Sequence, residues 1–342
     1  MATISRGVMC VFCELFVATI IATLLSVVAA FGGAHENQEA TQWASKANQI
    51  MDVCSPGSPP FRLIEDIKVW TKDNQWVAGT YTLIWQNPDA WRDELALPDY
   101  HEIRVGGKQS ISFLRSQPYW TPAALHARPL AGVTRFVSRV PTFGVTRTHD
   151  TVRGRVNVHC FSGKPIRSIK AEGCFDADRG FFLSSADSAS SGIIRTEFAD
   201  YVNLGEHFIP RQTRDYRDDR LVGEVDIREA SLTHEADSGA FAPPAGATRI
   251  GGCLLPGFPK PIAMPSPGRR RAKVSGTVAL EVKSDTQGSI EDVVVVEPLD
   301  PSLDSKAVET IKKEWRFQPA TCSGVPVPLE TVVLVDFLRS LF

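Results

Sequence analysis

The sequence lacks the short motifs that identify most catalytic and metal-binding sites. It contains no G-x-S-x-G, no H-E-x-x-H and no phosphate loop ending in Gly-Lys-Ser or Gly-Lys-Thr. None of the five cysteines after residue 34 belongs to a C-x-x-C pair, so a metal knuckle or a thioredoxin-like centre is not expected. His101-Glu102 and His234-Glu235 are isolated pairs, which are typical of packing or surface contacts. The sequence therefore predicts no enzyme, no cofactor and no metal site.

A strong charge of either sign is also absent. The chain of 342 residues has a formal net charge of -2, which gives no reason to expect a nucleic-acid partner. The dense basic run Arg269 to Arg271, followed by Lys273, lies in a proline-rich stretch and indicates a solvated linker. The length of the chain favours two domains rather than one.

Residues 1–34 have the composition of a leader. Arg6 precedes a stretch over residues 8–30 that is apolar except for Glu14 and a few small polar side chains. Residues 28–30 or 32–34 would suit a signal peptidase. The stretch is also long enough to be an uncleaved membrane anchor. Either alternative exports the rest of the chain from the cytoplasm.

An exported chain is expected to pair its cysteines. Cys160 and Cys174 flank a hairpin-sized loop and are predicted to form the first disulfide. Cys54 and Cys253 bracket the middle of the chain and are predicted to form the second, which leaves Cys322 as the odd one.

Short alternating segments dominate residues 36–248. A helical pattern over residues 36–52 comes first and ends before a breaker run. From residue 61 the period changes to two, which is typical of half-buried strands, and Gly106-Gly107 indicates a hairpin. The pattern predicts an antiparallel meander with a helical interlude near residues 121–138.

The composition changes after residue 248. Proline and glycine are dense over residues 249–273, which predicts an extended linker. Residues 274–342 then show a hairpin pattern, a helix with one apolar face and a final alternating strand. The second domain is therefore predicted to be a small α+β unit.

This unit, over about residues 258–342, resembles the C-terminal domain of the TonB family of energy transducers. The resemblance rests on a helix followed by the run W-R-F-Q-P-A and a glycine turn, with Trp315, Arg316, Phe317, Pro319 and Gly324 as its motif residues. Trp315 and Phe317 are expected to pin the helix to the sheet, and Pro319 to end the helix. The apolar leader has no histidine, in contrast to the energy-coupled members, so coupling to a proton-driven motor is not implied.

The resemblance implies that the final strand binds a partner. A valine-rich strand at the end of a chain often lies at a sheet edge, where unpaired backbone groups can template another strand. In TonB-like domains the added strand is a short segment of an outer-membrane receptor. The same kind of receptor, or another envelope protein, is the implied partner, and edge-to-edge pairing into a homodimer is the alternative. The residues predicted to bind the partner are Leu329, Thr331, Val333, Val335 and Phe337.

The middle region resembles the lipoprotein-carrier fold of the LolA and LolB type. The resemblance rests on GTYTLIWQNPDAWRDEL at residues 79–95 and on CFDADRGFFL at residues 174–183. It implies a curved antiparallel sheet closed by helices over an apolar concavity that can hold lipid or lipoprotein acyl chains. The side chains predicted to line this concavity are Tyr81, Leu83, Trp85 and Trp91.

The sequence thus predicts an α+β fold with a leader, a curved antiparallel sheet with helices and a small α+β C-terminal domain. The predicted function is that of a non-catalytic cell-envelope protein of the periplasm, secreted there or anchored in the inner membrane by residues 8–30. Its C-terminal domain would dock a receptor in transmembrane transport. The alternative is a periplasmic lipid or lipoprotein carrier.

Overall fold

The computed structural model describes residues 37–337, apart from positions 56, 74, 133–144, 165–169, 190–191, 234–237, 255, 257–260, 264–273 and 275. The predicted leader lies outside these residues. Within the described ranges, no helix combines the length and apolarity needed to cross a bilayer.

One large antiparallel sheet makes up most of the chain. Its thirteen strands follow the order β13-β5-β4-β3-β2-β1-β12-β11-β10-β9-β8-β7-β6, so two meanders meet where β1 pairs with β12. The strand bounds are β1 Phe61–Trp70, β2 Trp76–Asn87, β3 Ala90–Leu97, β4 Tyr100–Gly107, β5 Ser110–Arg115, β6 Val145–Arg153, β7 Val156–Gly163, β8 Lys170–Asp176, β9 Phe182–Ala189, β10 Gly192–Leu204, β11 His207–Arg217, β12 Arg220–Leu232 and β13 Thr248–Gly251. The predicted curved antiparallel sheet is confirmed.

Two helices pack on one face of this sheet. The helix over residues 37–51, α1, buries Ala40, Ala44, Ala47 and Met51, which lie on one helical face. The second helix, α2, spans Pro122–Leu130 and begins at the N-cap Thr121. The two helices and alternate residues of the strands bury one continuous apolar core. We refer to this part of the chain as the sheet domain.

A three-stranded sheet in the order β16-β15-β20, with a helix on one face, forms the C-terminal domain. The helix, α3, carries Leu303, Ala307, Ile311 and Trp315 into this second core, as its four-residue spacing predicts. Two short ribbons, β14–β17 and β18–β19, complete the domain. Its elements are β14 Pro261–Ala263, β15 Gly276–Ser284, β16 Ile290–Glu297, α3 Pro301–Glu314, β17 Arg316–Phe317, β18 Ala320–Cys322, β19 Val325–Val327 and β20 Leu329–Phe337.

The segment predicted to be a linker, residues 249–273, is anchored at several described points. Its first residues belong to β13, which pairs with β5 in the large sheet. Ala263 in β14 pairs with Arg316 in β17. Cys253 is bonded to Cys322 of β18. The two domains are therefore joined by covalent and backbone contacts as well as by the chain between them.

The predicted hairpin differs in detail from the structure. Gly106 and Gly107 both belong to β4, and the turn to β5 is made by Lys108 and Gln109, which adopts a positive φ of 52°. The physical reason lies at Gly106: a Cβ atom at this position would come within 1.9 Å of the Trp91 indole. The glycine thus makes room for a buried side chain rather than for a turn.

Candidate docking site on the final strand

Strand β20 pairs with β15 along one side only. Its register runs from Gly276 opposite Phe337 to Ser284 opposite Leu329 without a break. In the described residues no strand pairs with its other side, so β20 is an edge of the three-stranded sheet. Unpaired N–H and C=O groups along such an edge can accept an additional strand.

The residues of β20 alternate between two different environments. Val335 and Phe337 are buried in the α3 core, and Val333 packs against it. Leu329 and Thr331 point to the same side and are half-buried. The opposite side carries Glu330, Val332 and Leu334, and it faces the sheet domain where Arg115 contacts Glu330.

A groove runs beside this edge on the side of α3. It has a volume of about 220 Å³ and is bounded by the predicted docking residues Leu329, Thr331 and Val333 on one wall. Trp315 and Phe317 form part of the other wall. Val335 and Phe337 do not line it, and both are less than 10% exposed. The set of five residues predicted to bind a partner is thus divided between the groove and the core.

Two of the five motif residues, Trp315 and Phe317, line this groove. Trp315 caps the C-terminus of α3, where its backbone N–H donates to the Ile311 carbonyl at 3.3 Å. Its ring meets Phe317 edge-on at a centroid distance of 6.0 Å. Arg316 is exposed at the start of β17, and its guanidinium donates to the Trp315 carbonyl at 2.6 Å. Pro319 does not end the helix as predicted, because the backbone becomes extended at Trp315, and Pro319 follows β17. Gly324 adopts a φ of +82° in the turn from β18 to β19.

Gly288 is required by a close approach in the same region. It has a φ of +78°, and a Cβ atom there would lie 2.1 Å from the Phe317 carbonyl oxygen. The turn from β15 to β16 therefore packs directly on β17. This contact fixes Phe317 relative to the sheet that carries the docking edge.

The sheet domain contacts the far side of β20 through a buried ionic cluster. The Arg115 guanidinium donates from Nε to Glu102 Oε2 at 2.6 Å and from Nη1 to Glu330 Oε1. Glu281 of β15 lies 3.6 Å from Arg115 Nη1, and its Oε2 accepts a hydrogen bond of 2.7 Å from the Trp120 backbone N–H. Sequence reasoning missed this cluster because Arg115 and Glu330 are separated by 215 positions. The one local signal is Glu281, a carboxylate between the apolar residues Leu280 and Val282 of β15.

A second polar contact joins the domains at Glu297, the last residue of β16. Its carboxylate lies 2.8 Å from His126 Nε2 in α2 and 3.7 Å from Lys72 Nζ. Burial raises the pKa of Glu297, but the His126 and Lys72 contacts outweigh burial and hold it below its usual value. Lys72 also donates to the Thr277 carbonyl at 2.9 Å.

The side chains predicted to line an apolar concavity are buried in the core of the sheet domain. Tyr81, Leu83, Trp85 and Trp91 are each no more than 2% exposed. Trp85 stacks on Phe61 at 5.4 Å. The four residues belong to the core cluster that the sheet shares with α1 and α2. That they line a cavity for acyl chains stays a prediction.

Charge also occupies this part of the concave face. Tyr81 donates to Asp93 Oδ2 at 3.0 Å, and Arg128 of α2 donates to the same oxygen at 2.9 Å. Arg128 lies 3.4 Å from Glu102, which itself contacts Arg115. A row of ion pairs therefore leads from beneath α2 to the C-terminal domain. Such a row links α2, the sheet and the C-terminal domain through mutually polarised polar contacts.

The cysteines pair partly as predicted. Cys160 and Cys174 face each other in β7 and β8 and are bonded. The predicted bond between Cys54 and Cys253 is wrong, because Cys253 is bonded to Cys322 and Cys54 is a free thiol. Folding places β13 beside the β18–β19 ribbon, whereas Cys54 follows α1 and packs against the sheet-domain core. Spacing along the sequence could not show this proximity.

Comparison with known proteins identifies the C-terminal domain. Residues 268–338 match the family described as Gram-negative bacterial TonB protein C-terminal. No curated protein matches the chain.

Among solved structures, a DUF1329 family protein from Desulfovibrio piger is similar at 8% identity and a TM-score of 0.43, covering 60% of this chain and 96% of that one. A LolA superfamily protein from Nitrosomonas europaea is similar at 10% identity and a TM-score of 0.38, covering 58% and 97%. Likeness at these TM-scores is too loose to assign the sheet domain to either group. The family match over residues 268–338 therefore shows what the C-terminal segment is similar to.

Proposed function

We propose that this chain is a non-catalytic envelope protein that docks an outer-membrane receptor, or a similar envelope partner, by strand addition to β20. The observation that carries the proposal is that, among the described residues, one side of β20 is unpaired and an apolar groove lies over its α3 face. The TonB C-terminal match over residues 268–338 supports the class of partner.

The backbone of β20 would supply affinity. An extended peptide lying along Leu329–Phe337 would exchange hydrogen bonds with the unpaired side of the strand, as in other cases of β-augmentation. The register with β15 is unbroken over nine residue pairs, so the template is straight and regular. A partner segment of five or more residues could pair along it.

The groove would supply specificity. Alternate side chains of an added strand point to the same face, so every second residue of the partner would lie over the α3 side of the sheet. There they would meet Trp315, Phe317 and Val333. We therefore expect a partner segment with apolar residues at alternate positions. The exposed Arg316 beside these rings would favour an acidic residue at one end.

A pair of proline variants tests the docking edge. Successive residues of an antiparallel strand direct their N–H groups to opposite sides. Of Val332 and Val333, one therefore donates toward β15 and the other toward the unpaired side, and proline removes that donor. One of Val332→Pro and Val333→Pro should keep the far-UV circular dichroism of the parent. That variant should lose binding of a receptor-derived periplasmic peptide, measured by fluorescence anisotropy against a scrambled peptide.

The other variant breaks a ladder bond to β15 and should destabilise the C-terminal domain. The proposal is contradicted if both variants remain folded and bind the receptor peptide with the affinity of the parent. It is also contradicted if the parent binds the receptor peptide and its scrambled version equally well.

A further inference from the structure

Glu281 and Glu330 lie on the face of the C-terminal sheet that is turned away from α3. Lys283 is opposite Glu330 in the ladder, and Glu281 is opposite Val332, so the two carboxylates are close neighbours on this face. Glu281 is 1% exposed and the Glu330 side chain 15%. Two carboxylates this close destabilise each other unless a cation or a shared proton intervenes.

Arg115 supplies the cation from the sheet domain. Its side chain is 9% exposed and contacts Glu102, Glu281 and Glu330 through the bonds described above. The guanidinium also lies 5.0 Å from the Phe113 ring and 5.9 Å from the Trp120 ring. It is therefore held from the sheet-domain side by Glu102 and two rings, and it presents its remaining donors to the C-terminal domain.

We infer that Arg115, with the carboxyl pair Glu281 and Glu330, positions the docking strand: it fixes β20 to the sheet domain and holds its edge in a conformation ready to accept a partner strand. The effect on partner binding rests on the proposed function. The positioning of β20 by Arg115 is a property of the chain alone and can be measured without a partner. Arg115 does not line the groove. It would act on docking through Glu330, whose neighbours Leu329 and Thr331 form the groove wall.

The cluster makes the hold on β20 dependent on pH. Burial has the largest effect on the pKa of Glu281 and, together with the neighbouring Glu330, raises it to about 8. The groups that face Glu281 are Arg115 and the Trp120 N–H from the sheet domain, Glu330 from β20, and Lys283 at 3.7 Å on its own strand. Because the pKa in the folded chain lies above the ordinary value, the folded chain keeps a proton that the unfolded chain would lose. The stabilisation is therefore fully present below the ordinary pKa of a glutamate and is lost progressively as the pH rises to about 8.

Amide hydrogen exchange of the full chain without any partner tests the inference. Arg115→Met leaves buried carboxylates without their cation, so exchange over Leu329–Val333 should become about tenfold faster or more. Arg214→Met is the matched control, because Arg214 pairs with Glu224 and Asp226 inside the sheet domain and contacts no member of the Arg115 cluster. It should leave exchange over these residues unchanged. Arg115→Lys, which keeps the charge but not the fork of donors, should recover part of the protection.

A second variant separates positioning from a general loss of folding. Glu281→Gln keeps an acceptor for the Trp120 N–H and cannot ionise. In the parent, protection of Leu329–Val333, corrected for intrinsic rates, should fall about tenfold between pH 6.5 and pH 8.5. In Glu281→Gln this fall should be absent. Exchange over β1 to β3 reports whether the sheet domain is intact in every variant.

Unchanged exchange over Leu329–Val333 in Arg115→Met, or the same pH dependence in the parent and in Glu281→Gln, would overturn the inference. The receptor-peptide measurement distinguishes the two proposals. A parent chain that shows these exchange changes but binds no receptor peptide would retain the positioning cluster and refute the docking function. A parent that binds the peptide while Arg115→Met binds it equally well would refute the positioning role alone.

Discussion

Trp91 and Gly106 show, at the scale of single residues, how closely one part of the sheet domain is packed. Gly106 lies opposite Trp91 in the ladder, and the indole covers the space that a Cβ would need. The next glycine, Gly107, is different, since a Cβ there would meet only atoms of Ser110, at 3.4 Å or more. The two positions therefore form a matched pair for testing how tightly this part of the core is packed.

Gly106→Ala should lower the free energy of unfolding by about 2–3 kcal/mol, because the indole or the strand must move. Gly107→Ala should change it by less than about 0.5 kcal/mol. Urea unfolding followed by circular dichroism gives both values. Equal midpoints for the two variants would mean that Trp91 has free space, as an open cavity requires.

Cys54 provides a second test at this scale. Burial first, and then the Asp52 carboxylate, raise the pKa of its thiol above its ordinary value. The reactive thiolate should therefore be scarce in the folded chain. Iodoacetamide should leave Cys54 unmodified under native conditions and modify it in denaturant without reductant, as read by peptide mapping. Cys160, Cys174, Cys253 and Cys322 should be modified only after reduction, and modification of any of these without reductant would contradict the pairing.

Single residues mark the limit of sequence reasoning most clearly. The bond between Cys160 and Cys174 was predictable because one hairpin brings them together. The bond between Cys253 and Cys322 was not, since it depends on where two domains meet. For the same reason Arg115 carried no recognisable signal, whereas the local motif Trp315 to Pro319 did.

The start of helix α3 follows directly from its local sequence. Asp300 is its N-cap, and its carboxylate accepts hydrogen bonds from the backbone N–H groups of Ser302 and Leu303. Pro301 occupies the first turn, where its missing N–H has no cost. The pKa of Asp300 is held below its usual value mainly by the hydrogen bond from the Ser302 side chain and, to a smaller extent, by the backbone N–H groups.

Asp300→Ala should lower the melting temperature of the C-terminal domain by a few degrees at pH 7. Asp300→Asn, which keeps an acceptor, should lower it less. The lowered pKa means that the stabilisation is present above the ordinary pKa and is lost as the pH falls. The difference between parent and Asp300→Ala, followed by calorimetry, should therefore shrink in acid, and a difference that is constant down to pH 2 would contradict the capping role.

The elements of the C-terminal domain were predicted more completely than those of the sheet domain. The period-two pattern located the strands β1 to β5 and β8 to β12, but it could not give the pairing of β1 with β12, which joins two meanders into one sheet. Periodicity reports burial of a face and not the identity of the neighbour. It also could not distinguish aromatic side chains of a filled core from those of an open concavity.

At the scale of the whole molecule, the bond between Cys253 and Cys322 joins β18 to the residues that follow β13. The two cysteines are 69 positions apart, so in the chain-entropy model the bond stabilises the folded chain by about 4 kcal/mol. The double variant Cys253→Ser/Cys322→Ser should show this loss in urea unfolding followed at the C-terminal domain. The bond between Cys160 and Cys174 closes a shorter loop, so the double variant Cys160→Ser/Cys174→Ser should lower the free energy of unfolding by about 3 kcal/mol. This variant should leave the C-terminal domain unaffected.

If the first double variant retained the stability of the parent, the covalent link would not hold the domains together. The ionic contacts of Arg115 and of Glu297 would then be sufficient for that role. The two double variants should lose stability in different places, because each pair of cysteines belongs to a different region of the fold.

The central claim is that a partner strand adds to the open side of β20, and one measurement tests it directly. Hydrogen exchange of the full chain is followed with and without a saturating receptor-derived peptide. The account predicts new protection over Leu329–Phe337, with none over Ile290–Glu297, the opposite edge of the same sheet. Protection at Ile290–Glu297 or at the β6 edge, with β20 unchanged, would contradict it.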